Sequence, residues 1–498
     1  MTASLHDKIF SGAGWIVGWR MVTRGLGLIS TLVLARLLLP ADFGLVALAT
    51  GFAGAIEAMS YMGVEDALVR EKAPDRALYD TGFTLGLLRG LIMAASLAVL
   101  ASPIADWFGE PRLTNVLLVL AAGSAIDGLA NIGMVDFRRN FAFDREFVSM
   151  ILPRLLGVAL MIGAAWEWRS YWALVVGILS MRLARVGLSY YMHPFRPRLS
   201  LASWRGLVTY SFWNWTVALA VMLRERGSLL LIGRLLGAGP VGVWSIGTDL
   251  AAMPTSELVE PLSRSAFSGF AAAHHSGESV GDIYLRVVAA TALLTLPAGV
   301  GTSLIADPLV RLGFGPNWVA AIPLVQILSI TGAATVFGYI GWTLLSAQAR
   351  LRTVLAVTLT AALTRLLLLA ILAPRIGLVG AAMAVAASVV VEDALYIGLT
   401  FRRYQMRVGA LLARVWRGLL AAGCMAATLV EAGLGWTEVT GGPAELALKL
   451  VTAITLGAMV YVGVLLLSWL ASGRPEGAEA DAVAMLRRLL RRLRRRAT

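Results

Sequence analysis

The residues able to do chemistry are charges placed where charge is expensive. Arg20 and Arg24 stand four residues apart in an apolar run, so a helix puts them on one face. From the turn at Pro40 and Ala41, Arg24 lies sixteen residues back and Glu57 sixteen residues on. At 1.5 Å per residue both are about 24 Å from the turn, and the expectation is an Arg24 to Glu57 pair. Arg226, Glu225 and Asp249 repeat the theme: with a turn near Ala238 and Gly239, Asp249 falls close to the depth of Arg226. A charge at the centre of a membrane helix costs about 2.5–3.5 kcal/mol on insertion scales, so such residues face a cavity or a partner. The chemistry expected is electrostatic recognition by Arg20, Arg24 and Arg226, with Glu57, Asp249 and Glu225 as ion-pair or coupling partners. Arg89, Arg154, Arg182, Arg185 and Arg365, with Asp127, Glu257, Glu260, Glu392 and Asp393, read as ion pairs between helices. Asp42 reads as the N-cap of the second helix. Intramembrane acids and bases nearly balance, so these charges alone do not choose the sign of a ligand.

Other chemistries lack their residues. The one cysteine, Cys424, lies in an apolar run, and of four histidines His6 and His193 are isolated while His274 and His275 are adjacent. No spaced metal-ligand set results. GAGWIVG at 12–18 has the wrong spacing for a dinucleotide loop and no strand before it, so close helix packing is expected there. With three lysines and no phosphate-binding loop, ATP hydrolysis by this chain is excluded, and no cofactor or metal is expected.

The elements that must position the charges are membrane helices. Of 498 residues, 58% are hydrophobic and 15% charged, and mean hydropathy is +0.76. Soluble domains run at about 45–50% apolar and about 25% charged, which rules out a soluble globular enzyme. The net charge of +13 lies between apolar runs, which is how topology is written rather than nucleic-acid binding. A span needs about 20 apolar residues. Fourteen runs qualify, near 13–38, 42–64, 82–102, 115–135, 148–166, 171–191, 207–235, 240–262, 283–305, 318–346, 351–374, 377–400, 408–432 and 446–471. If the N-terminus is cytoplasmic, sixteen Arg and Lys fall on inside segments and four, Arg112, Arg169, Arg311 and Arg375, on outside loops. That asymmetry places both termini in the cytoplasm. The tail, rich in arginine with leucines on one helical face, reads as an amphipathic helix on the anionic cytoplasmic leaflet.

An internal repeat organises the runs. A shift of 198 residues lays Arg36 on Arg234, Leu37 on Leu235, Gly44 on Gly242 and Thr50 on Thr248. Six helices separate the copies, an even number, so the repeats are parallel and binding is expected between them. The fold class is therefore an all-α polytopic membrane protein of about 14 helices. Residues 1–191 form an N-terminal six-helix lobe, 192–206 a cytoplasmic linker, 207–400 a C-terminal six-helix lobe, 408–471 two added helices and 472–498 the basic tail.

LARLLLPADFG at 34–44, GVEDALVREK at 63–72, RPRLSL at 196–201 and LLLIGRLLGAGPVGVWSIGTDLAAMP at 229–254 carry a resemblance. Over roughly residues 10 to 400 the chain resembles the polysaccharide transport family, the Wzx-type flippases of the multidrug/oligosaccharidyl-lipid/polysaccharide exporter superfamily. Many relatives carry an acid where this chain has Ser228, with Glu225 nearby. The resemblance implies a flippase for an undecaprenyl-pyrophosphate-linked oligosaccharide in exopolysaccharide or lipopolysaccharide assembly at the bacterial inner membrane. It also implies an anionic substrate, suited to bidentate arginine, and polysaccharide polymerase and glycosyltransferases as candidate partners. The alternatives are a cation-coupled multidrug exporter of the same superfamily and a membrane O-antigen polymerase or ligase.

Overall fold

A computed structural model describes residues 5–60, 63–71, 74–204, 212–276, 279–438, 441–481 and 483–484. The arginine-rich end of the tail, residues 485–498, lies outside them, as do Lys72 and Arg205. The described residues are helical, with no strand among them.

The helices are α1 (Leu5–Leu37), α2 (Pro40–Met59), α3 (Val64–Arg70), α4 (Arg76–Phe108), α5 (Arg112–Asp127), α6 (Val135–Arg139), α7 (Phe143–Trp168) and α8 (Trp172–Met192). They continue as α9 (Phe212–Leu236), α10 (Ala238–Ser276), α11 (Val280–Leu304), α12 (Ala306–Gly313), α13 (Ile322–Ala334) and α14 (Val336–Ala347). Last come α15 (Leu351–Tyr404), α16 (Val408–Glu431) and α17 (Pro443–Ala471). Among the described residues nine helices are long and apolar enough to cross a membrane, or ten if a bent pair counts as one span. α1 and α9, which carry the candidate arginines, and α10, which carries Asp249, are long but fall outside that set. The described residues of each of the fourteen expected runs nevertheless lie mostly on helix.

Local chemistry explains the departures from straight rods. α15 runs 54 residues without a gap, yet Pro374 removes a donor and Gly377 adopts φ 62°, ψ −142°, a conformation for glycine. The kink divides α15 where the sequence separates 351–374 from 377–400. The expected run 115–135 is instead broken: α5 ends at Asp127 and the segment Ile132–Arg139 turns away by 67°. Asn131 fixes that break, accepting from Gly133 N at 3.0 Å and donating to Phe195 O at 2.8 Å. Likewise 318–346 is divided at Thr335 into α13 and α14. Asp42 is not the N-cap. Pro40 opens α2, and Asp42, in its first turn, reaches back to accept from Leu39 N at 3.0 Å.

By packing the chain divides into two units, Met1–Gly242 and Val243–Thr498. In the second, α11, α14, α16 and α17 enclose a core around Tyr284, Val336, Ile340, Met425 and Tyr461. Large apolar side chains are left outward, Leu367 on α15 at 63% and Leu467 on α17 at 68%, as helices in a lipid solvent require.

In the first unit, the segment joining α8 to α9 is strapped along α4. Arg198 N donates to Asp80 Oδ1 at 2.8 Å, Ser200 N to the Thr84 hydroxyl at 2.9 Å and Ser203 N to the Thr81 hydroxyl at 3.2 Å. Tyr79 bonds Asp136 and packs on Phe195 with ring centroids 5.4 Å apart. An extended segment thus finds its acceptors on buried side chains of a neighbouring helix.

α2 and α9 run antiparallel, glycine against side chain. A Cβ on Gly51 would stand 2.8 Å from Leu229. At the end of α2 that begins with Pro40, the approach becomes backbone to backbone. A Cβ on Gly44 would overlap the Ala238 carbonyl and stand 2.8 Å from Gly242 N. One on Gly242 would overlap the Pro40 carbonyl and stand 2.9 Å from Gly44 N. Gly44 and Gly242 are repeat equivalents, and so are Pro40 and Ala238, so the crossing is symmetric in the repeat.

Two outcomes follow from this packing. Gly44→Val forces the crossing apart and destabilises by roughly 1–3 kcal/mol, read as a lower melting temperature in detergent. Gly163→Val, where a Cβ meets nothing within 4 Å, leaves melting near that of the parent. Asp80→Ala frees the strap, so that trypsin cuts the Arg198–Leu199 bond at least several-fold faster; an unchanged cleavage rate refutes the strap.

Candidate functional site

The first unit brings several of the sequence-derived charges onto α2. Arg226 of α9 lies against Gly54: a Cβ there would stand 3.4 Å from Nη2 and 3.5 Å from both Cζ and Nε. Three nearly equal distances mean that the guanidinium lies flat on the glycine, its N–H edge left open. Arg226 is exposed, and among the described residues no acceptor bonds it. Glu57 follows Gly54 by one turn on α2, about 4.5 Å along the axis.

Glu57 accepts from Arg89 of α4 at 3.2 Å, and Arg89 Nε donates to the Ser60 hydroxyl at 3.2 Å. Glu57 is thus held by Arg89, a partner that counting from the turn did not select. Arg89 enters from a helix whose depth relative to α2 is set by packing, which spacing along α1 and α2 does not encode. Beyond it Asp127 of α5 takes Arg182 at 3.2 Å and Arg185 at 3.8 Å from α8. These two pairs match the expectation of interhelical ion pairs. In these pairs three guanidinium groups, Arg89, Arg182 and Arg185, meet two carboxylates, Glu57 and Asp127.

The other candidates are placed as follows. Arg20 is half-buried and Arg24 exposed on α1. Trp19 and Thr23 of the same helix line a cavity with α7 and α8, so the two arginines sit one residue around from that face. Glu225 is half-exposed and accepts from Arg224 Nε at 2.9 Å. Ser228 is buried and donates to the Arg224 carbonyl at 2.6 Å, so its side chain is taken up by its own helix. Arg234, the repeat partner of Arg36, stacks over the Trp107 ring 5.8 Å from its centroid. In the second unit Asp249 is exposed on α10. Arg365 is buried there and donates to the Ser388 hydroxyl at 2.9 Å. Among the described residues no group of three or more His, Cys, Asp or Glu side chains could hold a metal.

The described residues form an all-helical membrane fold, and comparison with known proteins gives its class. Residues 33–323 match the model of the family described as "Polysaccharide biosynthesis protein". That is more than half of the chain. The chain belongs to this family, the Wzx-type polysaccharide transporters of the multidrug/oligosaccharidyl-lipid/polysaccharide exporter superfamily.

Among relatives, it is 24% identical over 351 residues to the lipopolysaccharide biosynthesis protein WzxC of Escherichia coli K12, covering 70% of this chain and 71% of that one. It is 24% identical over 334 residues to the succinoglycan biosynthesis transport protein ExoT of Rhizobium meliloti, covering 66% and 68%. In fold it is similar to the lipid II flippase MurJ in an inward closed conformation, with TM-score 0.74 at 12% identity, over 92% of this chain and 99% of that one. An inward-facing multidrug resistance transporter of the MATE family gives TM-score 0.61 at 16% identity, over 76% and 94%. The protein is a multi-pass membrane transport protein of polysaccharide biosynthesis and not an enzyme.

Because Glu57 is 59% exposed, its pair with Arg89 contributes about 0.2–1 kcal/mol to stability. A double-mutant cycle with Glu57→Gln and Arg89→Gln, read by melting, is expected in that range. A coupling several-fold larger would make the pair a structural strut instead of a site component.

Proposed function

We propose that this chain flips an undecaprenyl-pyrophosphate-linked oligosaccharide from the cytoplasmic to the periplasmic leaflet of a bacterial inner membrane, for exopolysaccharide or lipopolysaccharide assembly. The observation that carries the reading is Arg226, laid flat on Gly54 with no acceptor among the described residues, one turn from the Glu57 to Arg89 pair. A guanidinium held by its face keeps its edge for two parallel hydrogen bonds, which suits phosphate oxygens. Arg20 and Arg24 join it as substrate-binding residues, with Glu57, Glu225 and Asp249 as coupling or pairing groups.

In this reading the lobes are residues 1–191 and 207–400, joined by the linker 192–206, with 408–471 added and 472–498 lying on the anionic cytoplasmic leaflet. Both termini are cytoplasmic, and the lobes work by alternating access. The Gly44 to Gly242 crossing then closes the periplasmic end, because two backbones in contact leave no path for a headgroup. With no nucleotide site, the drive is an ion gradient, the membrane potential or consumption of the product by a polymerase.

The test is complementation of a deletion strain, with lipid-linked sugars and surface polymer both measured. Arg226→Ala and Arg24→Ala should each lower export at least tenfold while the protein still inserts, with Arg226→Lys keeping part of it. Complete lipid-linked repeat units should accumulate on the cytoplasmic leaflet. Normal export in both alanine variants overturns the site, and normal lipid-linked pools in the deletion strain move the function to drug export.

A further inference from the structure

A second set of arginines borders a cavity that the transport reading does not use. Within the first unit α1, α7 and α8 wall a space of about 480 Å³, closed on another side by the segment Asn131–Val135. Neither Arg24, Glu57 nor Arg226 lines it. Glu65 and Arg138, both exposed, mark where it meets the surface.

Most of its polar lining is already bonded. The Thr23 hydroxyl donates to Trp19 O at 2.6 Å, that of Ser149 to Glu146 O at 2.7 Å and that of Ser189 to Val186 O at 2.7 Å. Arg138 is held by Glu146 at 3.3 Å and Asp66 at 3.6 Å, and Arg185 by Asp127 at 3.8 Å. Two donors remain. The indole N–H of Trp19 is buried, with no acceptor among the described residues. Arg154, half-buried on α7, turns Nη2 toward Gly27 of α1, and among the described residues no hydrogen bond or ion pair reaches it.

Both unfilled groups can only donate. Leaving them empty in a low-dielectric wall costs the full desolvation of each group, and a cation would add repulsion to that cost. An anion rich in acceptor oxygens satisfies both. The apolar face beside Arg154, where Leu152, Leu155 and Leu156 are 43–50% exposed, offers a bed for acyl or prenyl chains.

We propose that this cavity is an anion site for the phosphate group of a lipid, with Arg154 as its charged donor and the Trp19 indole N–H as its neutral one. It is separate from the site at Arg226, and its test measures binding, with no transport step, so its failure and that of the flippase reading are distinguishable. The occupant's phosphate comes from a bilayer phospholipid or from the pyrophosphate of a lipid-linked sugar.

The experiment is native mass spectrometry of the delipidated full-length protein, titrated with phosphatidylglycerol, with undecaprenyl pyrophosphate and with phosphate-free diacylglycerol. The wild type should bind at least one of the phosphate lipids and not diacylglycerol. Arg154→Ala and Arg154→Gln should lower the affinity at least tenfold, and Arg154→Lys less. Trp19→Phe, which keeps the ring and its packing, should lower it about threefold, the loss of one hydrogen bond of roughly 0.6 kcal/mol. Loss of phosphatidylglycerol binding identifies the bilayer source, and loss confined to undecaprenyl pyrophosphate identifies the sugar carrier. Unchanged binding of both lipids by Arg154→Gln and Trp19→Phe, or equal binding of diacylglycerol by the wild type, overturns the proposal.

Discussion

A guanidinium inside hydrocarbon must find an acceptor, a dipole or a route to water, and much of the first unit is arranged around that requirement. Arg182 and Arg185 share Asp127, and Arg89 takes Glu57 and Ser60. Arg234 gives its charge to the face of Trp107. Arg226 and Arg154 are left by the described residues with open edges, and each keeps its donors for another group. In the second unit the same rule is met differently: Arg365 bonds a serine, and the buried Arg417 donates to the buried Glu479 at 2.8 Å, joining α16 to the start of the tail.

Glycine supplies the room that makes these arrangements possible. Gly54 is the platform of Arg226, and Gly123 takes the Arg182 stem, a Cβ there standing 3.1 Å from its Cδ. Gly27 leaves space for the end of Arg154. The same device works between apolar helices at Gly51, and between backbones at Gly44 and Gly242. Small residues at helix crossings are the usual means of close approach in a membrane, where no hydrophobic gain drives helices together.

The architecture was legible because its signals are long and additive. Runs of about twenty apolar residues and the Pro374 to Gly377 punctuation locate helices and one kink without any knowledge of packing. The break after Asp127 was not legible, because the run 115–135 stays apolar through it and its causes, Asn131 and the strap carbonyl of Phe195, are tertiary. The arginines were found as a class, since any charge in such a run stands out. Their partners were not. Counting residues from a turn gives depth along two helices, whereas the pairing of Glu57 with Arg89 depends on which third helix lies alongside. Arg154, expected in an ion pair, has none among the described residues, and nothing in its neighbours along the chain distinguishes it from Arg182.

The repeat carries the argument furthest. Two segments related by a shift of 198 residues meet at their own equivalent glycines, so each backbone presents to the other what it receives from it. Such a crossing is self-complementary, as at a two-fold interface, and its close-packed form is one discrete arrangement. A side chain at either glycine removes that arrangement altogether, since the overlap is with a carbonyl oxygen and not with a movable side chain. The arrangement is also local. It involves Pro40 and Gly44 at the start of α2 and Ala238 and Gly242 at the start of α10, while Gly54 lies several turns along α2 and Arg226 lies on α9, which ends at Leu236. A separation that begins at the crossing therefore reaches the surroundings of Arg226 through α2, which carries both Gly44 and Gly54. Glycine backbones set the crossing and a glycine platform carries the arginine edge, and α2 supplies a glycine to both.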